Sequence, residues 1–389
     1  MLVSWLANLS ALVAMFWLTA DLGPGHGIRI QSIAHKWVWL RGLNFQGCGP
    51  WHSYRFTCLR FISFACDSFM AAAPSRTCSS GQASDLMTFI TAAPRPTEEY
   101  SKSLGLYLAY VTYPPLYFAG PFLSYNAFAG QQEKPAFRHS NSDIAKLALS
   151  VLGYSCTLEL LQHVFWYSGW VGSQAPLATL LTMPGLEIVA AVHVLVNFEW
   201  MSLLVVWRFN RVIALLDGID TFENMTLNID YICSFQDLWR HWHVSLNKFC
   251  VRYLYVPLGG SKRPLLGVLA TFLFVALWHE VHGAGTAFHW YSWGALNCVG
   301  VLVEKLFLGF APKNSWYSGA MGAATQLAMQ WANLPALMEW DASQALGLRI
   351  LAGWALGLPV VLFGLQRVVG DLEKNKASKV AGDCPAENL

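Results

Sequence analysis

Charge is scarce in this chain. Asp, Glu, Lys and Arg make up 12% of its 389 residues, against about a quarter in ordinary soluble domains. The net charge of +2 is too small for a nucleic-acid-binding surface, which needs a basic patch or stripe. Paired cysteine spacing is also missing. The nine cysteines, at 48, 58, 66, 78, 156, 233, 250, 298 and 384, include no C-x-x-C, so neither a disulfide framework nor a zinc site is expected. Several sit in apolar runs, where a free Cys acts as a small hydrophobe. No repeat is present at any period, which weighs against transporter folds built from paired halves. The opening run LVSWLANLSALVAMFWLTA lacks the basic n-region of a secretory signal and is expected to be a first membrane helix.

What is present is grease and aromatic surface. Hydrophobic residues reach 55%, with 18 Trp and 14 Tyr, side chains that collect at membrane–water interfaces. The expected fold class is all-α, a polytopic membrane helix bundle. Spans of about 20 apolar residues are expected near 2–20, 104–123, 144–171, 186–207, 264–282, 286–310 and 346–366, with weaker ones at 56–72 and 317–338. Residues 73–102 are small, polar and proline-rich and read as a solvated loop. The tail after Arg367 is charged and reads as disordered. Basic residues concentrate in 208–263 and in the tail, so both are expected on the cytosolic side, with four crossings between 264 and 366. Of two glycosylation sequons, at Asn8 and Asn224, the second is then expected to be unused.

One stretch carries chemistry: SFQDLWRHWHVSLNKFCVRYLYVPLGGSKRP, residues 234–264. Read as a single helix over 239–253, it places Trp239, Trp242, Leu246, Phe249 and Tyr253 on one stripe. Arg240, His243 and Asn247 fall on the next, and Lys248 and Arg252 on a third. An interfacial helix with its aromatics in the lipid explains the grease and the cations. It does not explain His243 and Asn247 stacked one turn apart. Gly259 and Gly260 permit a left-handed turn, and Pro264 suits the start of the next helix. The run PLLGVLATFLFVALW then carries no charge before His279. His279 is thus placed about 22 Å along the helix, inside a hydrocarbon core about 30 Å thick. An ionisable group at that depth is a functional candidate, here a neutral imidazole able to accept a proton. The alternative is a core histidine satisfied by a carbonyl, although Glu280, His282 and His289 cluster nearby. The HEVH spacing does not match the H-E-x-x-H zinc helix, and no metal is expected.

These two segments together resemble the membrane-bound O-acyltransferase (MBOAT) family, in its glycerol-uptake-protein branch, akin to Hedgehog acyltransferase. LRFISFACD (59–67) and YLAYVTYPPLYFAGPFLSYNAF (107–128) are similar to that branch too. The resemblance implies an MBOAT-like domain over 55–370, an N-terminal membrane segment over 1–54 that is expected to be incomplete or differently spliced, and a cytosolic tail over 371–389. It implies tilted, re-entrant and interfacial helices around a transmembrane tunnel. It also implies acyl transfer from acyl-coenzyme A, a co-substrate and not a bound cofactor, to a hydroxyl or amine.

By the same resemblance, His279 and His243 stand at the family's two catalytic positions. His279 would act as general base, and His243 would orient the acceptor or stabilise an oxyanion. Asn247, Arg240, Lys248 and Arg252 are the expected substrate-binding residues, with the cations on the coenzyme A phosphates. Those cations also fit positive-inside topology alone. The implied acceptor is a lipid hydroxyl, such as a lyso-lipid of glycosylphosphatidylinositol (GPI) anchors, in the endoplasmic reticulum membrane. A protein N-terminus as acceptor, a carrier of glycerol or another small polyol, and a catalytically silent scaffold are the competing readings.

Overall fold

A computed structural model of the chain describes residues 50–72, 103–133, 139–165, 184–232, 234–279, 287–307 and 325–334, with isolated positions at 10, 182 and 347. The described residues are helical and contain no strand. The chain clusters into two units. One comprises Met1–Leu152, Val205–Asn224 and Ser245–Ala287, the other Gly153–Leu204, Met225–Val244 and Phe288–Leu389.

Among the described residues, two helices are long and apolar enough to cross a membrane, Asn141–Val164 within α5 (Asn141–Phe165) and Glu187–Leu216 within α6 (Gly185–Leu216). Both begin with an acidic residue in the first turn, Asp143 and Glu187, which favours the positive end of the helix dipole. On α5 the side chains of Leu149, Leu152, Leu160 and Val164 are each at least 60% exposed. Their spacings of three, eight and four residues put them on one side of the helix, an apolar face suited to lipid and costly in water.

The expected span 104–123 is not one helix. Helix α2 (Leu104–Thr112) stops at Tyr113, and Pro114 opens a five-residue helix α3 (Pro114–Phe118). Proline disfavours helical backbone in the residue before it, and Tyr113 is accordingly extended, with φ −57° and ψ 111°. The chain then runs without helix to α4 (Tyr125–Glu133). The expected span 264–282 is helical only as α9 (Pro264–His279), 16 residues long. The expected spans at 2–20 and 346–366, and the loop and tail, lie outside the described residues.

In the first unit a helix at 50–72, α1 (Pro50–Ala72), holds the rest together through one polar edge. Arg60, Ser63 and Asp67 recur at helical spacing and are almost fully buried. Arg60 donates to the carbonyls of Val111 and Leu116, satisfying the chain where α2 and α3 break. Ser63 Oγ bonds Tyr253 Oη at 2.8 Å and accepts from Tyr125 N at 2.9 Å. Tyr110 packs edge to face on Tyr125 and at a tilt on Phe128 in the core beside this helix.

Candidate active site

The sequence stripe 239–253 is two short helices and not one. Helix α7 (Phe235–His241) ends, Trp242 is extended, and helix α8 (Val244–Cys250) begins after His243. A π-helical turn, Val251–Tyr255, continues from α8. His243 has φ 49°, a left-handed backbone that is uncommon for a residue with a side chain. Such strain persists where the surroundings over-determine it, and it concentrates at functional sites. The break means that Arg240, His243 and Asn247 do not form one helical row. Of the apolar stripe, Leu246, Phe249 and Tyr253 are buried beyond the break, whereas Trp239 and Trp242 before it are half-buried.

Neither short helix is capped by its own sequence alone. At α7, Ser234 Oγ accepts from Asp237 N at 2.9 Å, while Glu304 accepts from Phe235 N and Gln236 N at 2.5 and 3.0 Å. At α8, Asn224 Oδ1 accepts from Ser245 N at 2.9 Å, and Ser245 Oγ accepts from Phe122 N at 2.8 Å. Asn224 is 1% exposed, consistent with an unused sequon. Asn224→Ala is expected to cost about 1–3 kcal/mol by orphaning a buried N–H, read as a lower thermal midpoint. The wild-type protein is expected to show no glycosidase-sensitive mobility shift from this position.

His243 is half-buried. Burial pushes the imidazole pKa from 6.5 down to about 3, because a low-dielectric setting disfavours the charged ring. His243 is therefore neutral at any pH near 7.

In the first unit, α9 runs without charge to His279, as expected. Its end is clamped to α1. Arg55 Nη1 donates to the His279 carbonyl at 2.5 Å, Trp278 Nε1 donates to the Arg55 carbonyl at 2.9 Å, and Phe56 meets Trp278 edge to face at 5.6 Å. The guanidinium thus satisfies a terminal carbonyl where the helix dipole is negative. The His279 and Trp278 rings sit 4.8 Å apart, steeply inclined. The turn before α9 is left-handed at Gly259 and Gly260, φ 114° and 54°. The π-turn packs on α9, and Phe249 stacks on Phe274 at 5.7 Å. Glu280, His282 and the His289 side chain lie outside the described residues.

The expected phosphate-binding cations are largely committed elsewhere. Arg252 is bonded through Nε and Nη2 to Asp67 Oδ1, at 3.1 and 2.8 Å, with Asp67 fully buried. Arg240 pairs with Asp237 at 3.2 Å on the exposed side of α7. Lys248 Nζ lies 3.9 Å above the Phe222 ring, a cation–π contact. Asn247 is half-buried on α8. Lys262 and Arg263 are exposed beside the turn. Arg208 and Arg211, at the start of the basic stretch 208–263, form ion pairs with Glu223 and Asp220.

Sequence reasoning singled out neither Asp67 nor Glu304, and took Asn224 only as a sequon. Asp67 lies inside the quoted LRFISFACD, and Glu304 is an acidic residue late in an otherwise apolar helix, a signal that was available.

The family model of the membrane-bound O-acyltransferases matches residues 1–331. The chain belongs to this family. Among its relatives, membrane-bound O-acyltransferase GUP1 of Saccharomyces cerevisiae is 38% identical over 193 residues, 49% of this chain and 33% of the relative. GUP2 of the same yeast is 32% identical over 228 residues, 57% of this chain and 36% of the relative. The protein-cysteine N-palmitoyltransferase HHAT of Mus musculus is 33% identical over 223 residues, 55% and 43% of the two chains. The matched region spans about a third of the length of the two yeast relatives. Membership makes this a membrane protein of an acyl-transferring family, one whose members use an acyl donor and an acceptor.

Proposed function

We propose that the protein transfers a long-chain fatty acyl group from acyl-coenzyme A to a lipid hydroxyl, with His279 as general base. The observation that carries this reading is a histidine ending a charge-free helix, held there by Arg55 and Trp278, in a chain of this family. The acceptor oxygen adds to the thioester carbon as His279 takes its proton. The tetrahedral intermediate collapses, and the coenzyme A thiolate leaves and receives that proton. General-base assistance of this kind gives about 10²–10⁴-fold. Neutral His243 orients the acceptor or donates N–H to the developing oxyanion. Exclusion of water protects the thioester from hydrolysis.

The two reactants meet in a transmembrane passage of a multi-pass protein of the endoplasmic reticulum. Asn247 contributes a polar contact to substrate. Lys248, Lys262 and Arg263 attract the coenzyme A phosphates, while Arg240 and Arg252 stay with their carboxylate partners. The acceptor is a lyso-lipid, in the manner of GPI-anchor remodelling. No resident cofactor or metal takes part. A second reading, acylation of a protein amine, is favoured by the similarity to the palmitoyltransferase HHAT.

Purified protein given labelled palmitoyl-coenzyme A tests these readings together. Label is expected in a lyso-phosphatidylinositol lipid. Label in an N-terminal cysteine peptide instead selects the second reading. Glycerol flux into proteoliposomes without any transfer overturns both.

A further inference from the structure

In the second unit, one face of helix α10 (Ala287–Phe307) is built to hold α7. Trp293, Asn297, Gly300 and Glu304 recur at spacings of four, three and four, which places them on one side of the helix. Trp293 meets Trp239 of α7 edge to face at 5.1 Å. A Cβ at Gly300 would come within 2.7 Å of the Phe235 ring, so α7 sits where only glycine permits it. Glu304, 7% exposed, takes both free N–H groups at the start of α7. Asn297 donates to the carbonyls of Trp293 and Ala332, and Trp293 Nε1 donates to Asn333 at 2.7 Å. The face is therefore anchored on its other flank by residues 325–334.

Helix α7 has only seven residues, too few to be stable without tertiary support. Its far end is tied as well. Met225 and Trp242 form an antiparallel bridge, Thr226 N donates to the His241 carbonyl at 3.2 Å, and Thr226 Oγ1 bonds His241 Nδ1 at 2.5 Å. His243 follows immediately, with its left-handed backbone. A conformation of that kind is kept only by contacts on both sides. We infer that Glu304 is a positioning residue, whose carboxylate fixes the start of α7 and through it the backbone and ring of His243. Its relevance to catalysis rests on the acyltransferase reading above; its effect on His243 does not.

Glu304→Gln tests this. The amide keeps one acceptor but turns an NH₂ toward the second N–H, so one bond is lost. Turnover is expected to fall about tenfold with KM for acyl-coenzyme A within about twofold, the pattern of a lost transition-state contact. Independently of activity, the rate at which diethylpyrocarbonate modifies His243 is expected to rise severalfold against exposed His163, measured by peptide mass. Glu304→Asp keeps the charge but is one methylene short; it is expected to fold and to give intermediate values. Unchanged His243 reactivity in both variants, with turnover that merely tracks the amount of folded protein, overturns the inference. Absence of transfer by the wild type would remove the acyltransferase reading and leave the His243 labelling to decide this one.

Discussion

His279→Ala is expected to lower the turnover of acyl transfer by about 10²–10⁴-fold while KM for acyl-coenzyme A stays near the wild-type value. The substitution separates chemistry from folding. Arg55 bonds the backbone carbonyl of residue 279, and Trp278 carries the aromatic contact with Phe56. The clamp between α1 and α9 thus survives loss of the imidazole. His279→Gln, which retains hydrogen-bonding capacity but cannot accept the proton, is expected to lose as much. Steady-state assays on both variants, beside their thermal midpoints, check this. A variant with an unchanged midpoint and full turnover would remove His279 from the mechanism.

The second large effect is structural. Arg252→Ala is expected to destabilise the protein by about 3–5 kcal/mol, because it leaves Asp67 as an uncompensated buried carboxylate. Asp67 is bonded twice by Arg252, and its other oxygen accepts from Asn126 N at 3.0 Å. Removing both charges, as Asp67→Leu with Arg252→Met, is expected to recover most of that loss. The residue is the Asn126 N–H, whose orphaning costs about 1–3 kcal/mol. The comparison also tests the first expectation for Arg252. A ligand of the coenzyme A phosphates would raise KM on mutation and leave the denaturation midpoint alone. The ion pair predicts the opposite, a lower midpoint with KM unchanged in whatever protein remains folded.

These two positions show what sequence could and could not deliver. The route to His279 was legible because fifteen uncharged residues in a row have one economical fate, a buried helix, and the ionisable group that ends it stands out. The buried stripe of Leu246, Phe249 and Tyr253 was legible for the same reason. The break at His243 was not. Two short helices followed by a π-turn preserve the three- and four-residue recurrence, so periodicity continues through a residue whose backbone has reversed hand. The proline at 114 did announce the break after α2, but a run of aromatics across it masked the signal. The partners of the site were out of reach altogether. Asp67 with Arg252, Asn224 with Ser245 and Glu304 with Phe235 are separated by 185, 21 and 69 positions. Local pattern says which residues face inward, not which helix they meet. Hence Arg252 read as a free cation when its carboxylate lies on a helix far upstream.

The central claim is that the ring of His279 meets the thioester. Electron cryomicroscopy of the full chain with a non-hydrolysable acyl-coenzyme A analogue tests it most directly. The expected result is the analogue's carbonyl carbon beside the His279 imidazole. A His279 ring turned to lipid, or an analogue seated beyond the reach of that ring, would contradict this.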